Sequence, residues 1–511
     1  MNNKLKFSHT TTARPLSILL LLIAACTFQS QAQPSPKREF RGAWVNVIYQ
    51  SQYQNMTPGQ MKRYFTQMLE GFKADGINAL IFQVRPAADA IYYSPIEPWS
   101  RFFSGEQGIP PAEYFDPMEY LIEECHDRDM EFHAWLNPYR VTTTATETLH
   151  SSHIYHKHPE WFVRYDGKLY FDPGIPGSRQ HICRVVQDIV RRYDVDAIHM
   201  DDYFYPYPVA GKAFPDEESF AVYGRDFTLQ QKNDWRRNNV NLLIKEIRET
   251  IILEKPWVRF GISPFGIYRN KKDTPDGSGS DTRGLQNYSD LYADVKLWVE
   301  KGWIDYNLPQ VYWNIGNPPA DYGILIDWWS KNNKGAHLYI GQDVSRTMKA
   351  PAKERQLQRK MDLSRKTPHV DGNCFWPGYT LMQNEAGIRD SLRNHYHRYP
   401  ALIPAYTHLH NNQPKEVNKL KAEWTIIGYM LHWEPKGERE GPEDAHYYVV
   451  YRFEDHERVD LNKASHIVEI THKNWSMLPF VDGSRRYKYV VTAVDRFHNE
   501  SKKGRAKTID L

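Results

Sequence analysis

The chain has 511 residues, enough for a large core plus a second module rather than one ordinary domain. Its 65 basic and 62 acidic residues leave a net charge of +3 with no block of like charge, so nothing demands nucleic acid or another polyanion as a partner. The 15 Trp and 33 Tyr fit either a large core or flat faces on which sugar rings stack.

Lys4, Lys6 and Arg14 precede an apolar run over 16–25 that is too short to span a bilayer as a mature helix. Residues 1–32 therefore read as a secretory signal peptide. Ser30-Gln31-Ala32 offers a cleavage site that leaves a soluble product, whereas Ile23-Ala24-Ala25-Cys26 resembles a lipobox that would leave a lipid anchor on Cys26. Either reading places the protein outside the cytoplasm, in the periplasm or anchored at the outer membrane of a bacterium. Cys125, Cys183 and Cys374 are widely spaced, show no disulfide or metal pattern, and read as small buried apolar residues.

From 38 to 399 the hydrophobic pattern alternates between strand and helix. Strands are expected at 42–48, 78–85, 131–137, 197–202, 258–263, 304–310, 336–341 and 373–377, with helices between them at, for example, 59–73, 117–128, 179–193, 290–301 and 352–365. Asp116-Pro117 supplies an N-cap and a first-turn proline. Eight such units predict an α/β fold, a (β/α)8 TIM barrel. A doubly wound sheet is the alternative, but no strand leads into a glycine-rich phosphate loop, and no cofactor is expected. In the second strand Ile81, Gln83 and Arg85 share one face, and in the third His133, Trp135 and Asn137 do so. Each such face turns polar toward the C-terminal end, where barrels carry their chemistry.

Residues 400–415, with Pro400, Pro404 and a polar stretch, read as a linker. Over 416–511 come short alternating runs such as Tyr447-Tyr448-Val449-Val450-Tyr451-Arg452-Phe453, which predict a small all-β sandwich. Trp433 and the strand through Tyr487 and Tyr489 resemble a fibronectin type III module, which implies a spacer or a glycan contact.

The stretch Ala197-Ile198-His199-Met200-Asp201-Asp202-Tyr203 drives a buried strand into two carboxylates. Glycosidic hydrolysis needs a proton donor and a second carboxylate facing one cleft. Asp201 and Asp202 are candidates on strand register. Glu97, between prolines 95 and 98 and beside Trp99, is expected in apolar surroundings that raise its pKa, as suits a general acid. Asp89 and Asp172 are further acids on the same rim. Gln83, Arg85, Asn137, Tyr139, Arg140 and Gln310 can bond sugar hydroxyls, while Trp135, Tyr203, Tyr312 and Trp313 can stack on rings, and His133 and His199 share the inward face. His150, His153, His156 and His158 lack the spacing of a metal site and read as a solvated or glycan-contacting loop.

The blocks Phe40-Arg41-Gly42-Ala43-Trp44-Val45, Phe82-Gln83-Val84-Arg85-Pro86, Glu97-Pro98-Trp99-Ser100, His133-Ala134-Trp135-Leu136-Asn137-Pro138-Tyr139-Arg140, His199-Met200-Asp201-Asp202-Tyr203 and Pro309-Gln310-Val311-Tyr312-Trp313 together resemble the glycosyl-hydrolase-like family related to family 10. The resemblance implies a TIM barrel in the bacterial envelope acting on a glycan. Family 10 xylanases carry Glu at two strand ends, and this chain has neither. The expectation is thus a secreted glycoside hydrolase acting on an envelope or imported polysaccharide, peptidoglycan strands among them, through paired carboxylates. The alternative is a non-catalytic glycan-binding protein on the same barrel.

Overall fold

All eight expected barrel strands form: β1 Phe40–Val45, β2 Ala79–Arg85, β3 Glu131–Leu136, β4 Ala197–Met200, β5 Arg259–Ile262, β6 Tyr306–Asn307, β7 His337–Asp343 and β8 Val370–Trp376. Each pairs in parallel with the next, and β8 pairs with β1 to close the barrel. The structure is a computed structural model that describes residues 35–111, 115–437 and 441–511; the expected signal peptide and Cys26 lie outside them. Helices α1 Pro58–Ala74, α2 Pro117–His126, α3 Pro176–Arg192, α4 Lys232–Glu254, α5 Val295–Glu300, α6 Tyr322–Asn332 and α7 Gln356–Lys366 lie between the strands.

Local chemistry sets these elements. Thr57 and Gln60 make a reciprocal capping box at α1, and Asp116 accepts from the backbone of Met118 and Glu119 ahead of Pro117 at α2. Three expected elements are shorter or broken. The sixth strand ends early because Pro309 has no N–H for the ladder, although Gln310 still bridges to Phe265 and Gly341. Tyr292, with φ +54°, breaks the helix expected over 290–301, and Asp294 caps a new start at α5. Arg355, with φ +50°, likewise divides a short turn from α7.

Alternation sorts the strand residues into two layers. Leu80, Phe82, Val84, Phe132, Ala134, Leu136, Ile198 and Met200 point out to the helices, in one large core. Phe40, Trp44, Ile81, Trp135, Ala197, Tyr306, Tyr339 and Cys374 fill the barrel itself. Tyr306 crosses the interior because β5 offers it Gly261, where a Cβ would lie 1.9 Å from the phenol ring. Cys125 is also buried and Cys183 half-buried; the three cysteines among the described residues are free thiols.

Residues 400–415 run beneath the N-terminal end of the barrel. Leu402 bridges to Arg38, and buried Tyr406 bonds the Tyr339 hydroxyl at 2.8 Å. Seven further strands follow: β9 Asn418–Thr425, β10 Gly428–Glu434, β11 Tyr447–Glu454, β12 Ile467–Thr471, β13 Trp475–Met477, β14 Arg486–Val494 and β15 Arg505–Asp510. They form antiparallel sheets of order β9-β10-β13 and β12-β11-β14-β15, packed on Trp433, Tyr448, Val450, Tyr489 and Val491. The other face of the four-stranded sheet, with Tyr447 and Val449, clusters with Leu402 at the barrel floor. Barrel and sheets belong to one unit, Ser35–Leu511.

Candidate active site

Strand β4 stops at Met200, so Asp201 and Asp202 emerge where the ladder ends. Both are almost wholly buried. Asp201 accepts from Trp135 Nε1 at 3.0 Å, from Asn137 Nδ2 at 3.2 Å and from the Tyr203 N–H at 3.3 Å. Burial pushes its carboxyl up, and the Arg140 charge and these donors oppose that shift. Asp202 has fewer supports: the Tyr207 hydroxyl donates to it and the Gln310 amide lies alongside. Burial, reinforced by the charge of Asp201, pushes its carboxyl up to about 7. Two neighbouring carboxyls therefore occupy different environments, one held by donors and the other kept protonated close to neutrality. Burial raises both, and the difference between them lies in the three donors that hold Asp201 and the neighbouring charge that acts on Asp202.

Glu97 is not the acid expected of it. Arg85 grips both carboxylate oxygens, Nη2 to Oε1 at 2.6 Å and Nε to Oε2 at 2.7 Å, and His181 Nε2 meets Oε1 at 3.0 Å. Burial works against the charge of Glu97, but the Arg85 guanidinium and His181 outweigh it and hold the carboxyl well below the usual range. The apolar neighbours in the sequence are real, yet the tertiary partners decide its state. Arg85, fully buried, also donates to the backbone carbonyls of Asn137 and Pro138, so it braces the β3 loop instead of touching sugar. Of the other rim acids, Asp89 accepts from the Ala87 N–H and Gln107, and Asp172 from the Gly174 N–H. Burial raises each to about 6.

His133 and His199 face inward as expected but lie below the mouth, fully buried. Trp44 Nε1 reaches His199 Nε2 at 3.2 Å, and an indole can only donate, so Nε2 accepts and Nδ1 carries the proton. Burial together with His133 keeps His199 neutral. Its Nδ1 then donates to the Tyr306 hydroxyl at 3.0 Å, leaving the phenol proton for His133 Nδ1 at 2.9 Å. His133 Nε2 donates to Glu131 at 2.9 Å, and Arg259 and His498 hold Glu131 from below. A hydrogen-bonded column thus fills the barrel axis, so neither histidine is a sugar contact.

The remaining candidates divide by depth. Gln83 spends its amide oxygen on the Val47 and Ile48 N–H groups, Asn137 serves Asp201, and Tyr139 is buried, so these three shape the site without lining it. Arg140, Tyr203, Gln310, Tyr312 and Trp313 reach the open mouth, and beneath them lies the mostly buried indole of Trp135, which meets Trp376 edge-on at 6.2 Å. Sequence reasoning missed Tyr207, His181, Trp376 and Ser263. Tyr207 sits four residues past Tyr203 and stacks on it at 5.3 Å, so the aromatic run after Asp202 carried a usable signal. Ser263 bonds His199 at 2.9 Å. In the histidine loop, His153 is buried and caps a short turn, and His158 stacks on Trp161 at 4.0 Å.

A closed (β/α)8 barrel with paired buried carboxyls and exposed aromatics at its C-terminal mouth defines a glycosidase-type protein. The chain belongs to the glycosyl hydrolase-like 10 family, whose model matches residues 39–358. It is 38% identical over 504 residues to the glycosyl hydrolase YngK of Bacillus subtilis, covering 96% of this chain and 97% of that one. It is 33% identical over 381 residues to the glycosyl hydrolase DigH of Escherichia coli, covering 68% of this chain and 84% of that protein. Among solved structures, the PgaB (BpsB) glycoside hydrolase domain of Bordetella bronchiseptica aligns with 70% of this chain and 99% of its own, at 12% identity and a TM-score of 0.46.

Proposed function

We propose that the protein hydrolyses glycosidic bonds in a bacterial envelope polysaccharide, with Asp202 as proton donor and Asp201 as the stabilising carboxylate. The observation that carries this is the unequal pair: Asp202 holds its proton to about pH 7, while Asp201 is fixed by three donors. In the reaction Asp202 protonates the leaving oxygen as the glycosidic bond breaks, the Asp201 charge faces the positive charge developing at the anomeric carbon, and a water that bonds to that carbon returns its proton to the Asp202 carboxylate. Tyr203, Tyr312 and Trp313 supply faces for the flanking rings.

The signal-like segment over 1–32 supports export, with the product soluble in the periplasm or lipid-anchored through Cys26. Bacterial relatives named as glycosyl hydrolases support a glycan substrate, and peptidoglycan strands freed of peptides are the envelope polymer we favour. The arrangement of three and four strands in the C-terminal sheets supports a fibronectin type III-like module acting as a rigid base.

The test is product release from a glycan panel that includes peptide-free peptidoglycan. Wild type should cleave, Asp201→Asn and Asp202→Asn should not, and Glu97→Gln should retain turnover per folded molecule. Binding by every form with cleavage by none would replace the enzyme with a glycan-binding barrel.

A further inference from the structure

The three-stranded C-terminal sheet ends in an apolar tip that the proposed chemistry does not use. Thr425 and Gly428 face each other across β9 and β10, so Ile426 and Ile427 alone make the turn. Two-residue hairpin turns favour Asn, Asp and Gly, and β-branched side chains suit them poorly. Folding therefore gives no reason for isoleucine at either position. Ile426 is fully exposed and Ile427 60% exposed, and in the adjoining loop Val481 is 80% exposed. Behind these three, Trp424, Tyr429 and Phe480 pack on one another with ring centres 5.0 to 5.8 Å apart. A contiguous apolar surface left on a folded chain marks a contact site.

Shape and charge narrow the occupant. The outermost groups are branched aliphatics on a protruding turn, which offer a sugar neither a flat face nor a hydrogen bond. The rings spend their faces and edges on each other, Trp424 stacked on Tyr429 and Phe480 edge-on to both. Charges beside the tip balance: Arg485 and Arg486 stand with Asp482 and Asp510, and Arg486 pairs with Asp510 at 3.2 Å. Aliphatic side chains outermost with Trp and Tyr behind them follow the order of a bilayer surface, where aromatic rings sit at the headgroup level.

Position agrees. The loop carrying Phe480 and Val481 leads into the first residue of β14, Arg486, whereas Glu500 bridges to its last, Val494. A strand of nine residues spans roughly 27 Å. The Lys37 ammonium donates to Glu500 at 2.5 Å, and Cys26, which a lipid would occupy, precedes Lys37 by eleven positions. A chain of that length reaches at most about 36–40 Å, so a lipid on Cys26 and the tip can enter the same bilayer.

We infer that the turn at Ile426 and Ile427, with Val481 and the three rings behind it, is a contact for the surface of a lipid bilayer. The inference rests on the export reading and is independent of the hydrolytic one. The contact is apolar and needs no anionic lipid.

The experiment uses the full chain, expressed with its N-terminal segment in a bacterial host and carrying Cys26→Ser so that no lipid is attached. Partition onto phosphatidylcholine vesicles is measured by sedimentation at low and at high salt. The parent should bind at both, and Ile426→Ser/Ile427→Ser should lower partition by about tenfold or more. Ile426→Leu/Ile427→Leu should bind as the parent does, because a fluid bilayer does not read side-chain shape. Leu253→Ser, which removes an exposed leucine at the end of α4, should change nothing. Melting temperature and glycan turnover should be the same throughout. Equal partition of the parent and the double serine variant would overturn the contact, as would binding that salt abolishes or that the leucine variant loses. A concentration-dependent dimer, or retention on peptidoglycan sacculi, that only the serine variant lacks would assign the tip to a second copy or to glycan and overturn the lipid reading. The mass of the purified protein tests export separately: loss of the N-terminal segment with equal partition removes the contact and keeps export, whereas an intact N-terminus with unequal partition does the opposite.

Discussion

Replacing Asp202 with Asn should inactivate the protein and stabilise it, by an amount that grows with pH. In the native chain the carboxyl keeps its proton to about pH 7, whereas in the unfolded chain it releases it near 3.8. Between those values the folded state binds more protons than the unfolded one, so stability falls as pH rises. Three pH units at about 1.4 kcal/mol each make a loss of about 4 kcal/mol, complete above pH 7. Asn is neutral at every pH, nearly isosteric with the protonated acid, and keeps an oxygen for the Tyr207 hydroxyl, so the variant escapes the loss. Urea unfolding of both forms at pH 5 and pH 8 should show the variant's advantage widening by about 3 kcal/mol. Turnover should fall by about 10²-fold or more. A stability difference independent of pH, or a variant weaker than wild type at pH 8, would refute the assignment of Asp202 as the protonated member of the pair.

Three other outcomes are expected. Glu97→Gln leaves Arg85 buried without its countercharge and should cost about 3–5 kcal/mol in chemical unfolding, with the pH–rate profile of the folded enzyme unchanged. Tyr207→Phe removes a donor that lowers the Asp202 pKa, so the alkaline limb of kcat/KM should move to higher pH. His472, packed against His126 and His446 beneath the barrel, has its pKa depressed by burial to about 4 from 6.5. Unfolding therefore takes up a proton as pH falls through that window, and His472→Gln should protect the acid-stressed protein by up to about 3 kcal/mol at pH 4 while changing little at pH 7.5.

Period-two alternation made the barrel legible, because each strand has one face against helices and one inside, and residues such as Leu80 and Ile81 record the difference. The acid pair was legible for the same reason, as carboxylates appearing where a buried strand runs out. Depth was not legible. Alternation turns His133, His199 and Gln83 inward but does not say how far below the mouth they sit, and Tyr306, which bonds both histidines, comes from a strand only two residues long. Nor does local sequence reveal the partners of Glu97: Pro98 and Trp99 suggest an apolar pocket, while the residues that fix its charge lie 12 positions upstream at Arg85 and 84 downstream at His181. The helix breaks at Tyr292 and Arg355 are backbone conformations that no glycine or proline announces.

The axial column has a consequence for inheritance. Its lower end, Glu131, is held at once by Arg259 of the barrel and by His498 of the C-terminal sheets, and Tyr406 of the joining segment covers the Arg259 guanidinium at 5.0 Å. A gene rearrangement that exchanged the last hundred residues would remove one of the two counterweights to a buried carboxylate. The two ends of the gene are therefore expected to drift together. Substitutions at Glu131 should survive in descendants mainly where Arg259 or His498 has also changed, so that a recombinant joining this barrel to a stranger's sheets inherits a faulty floor.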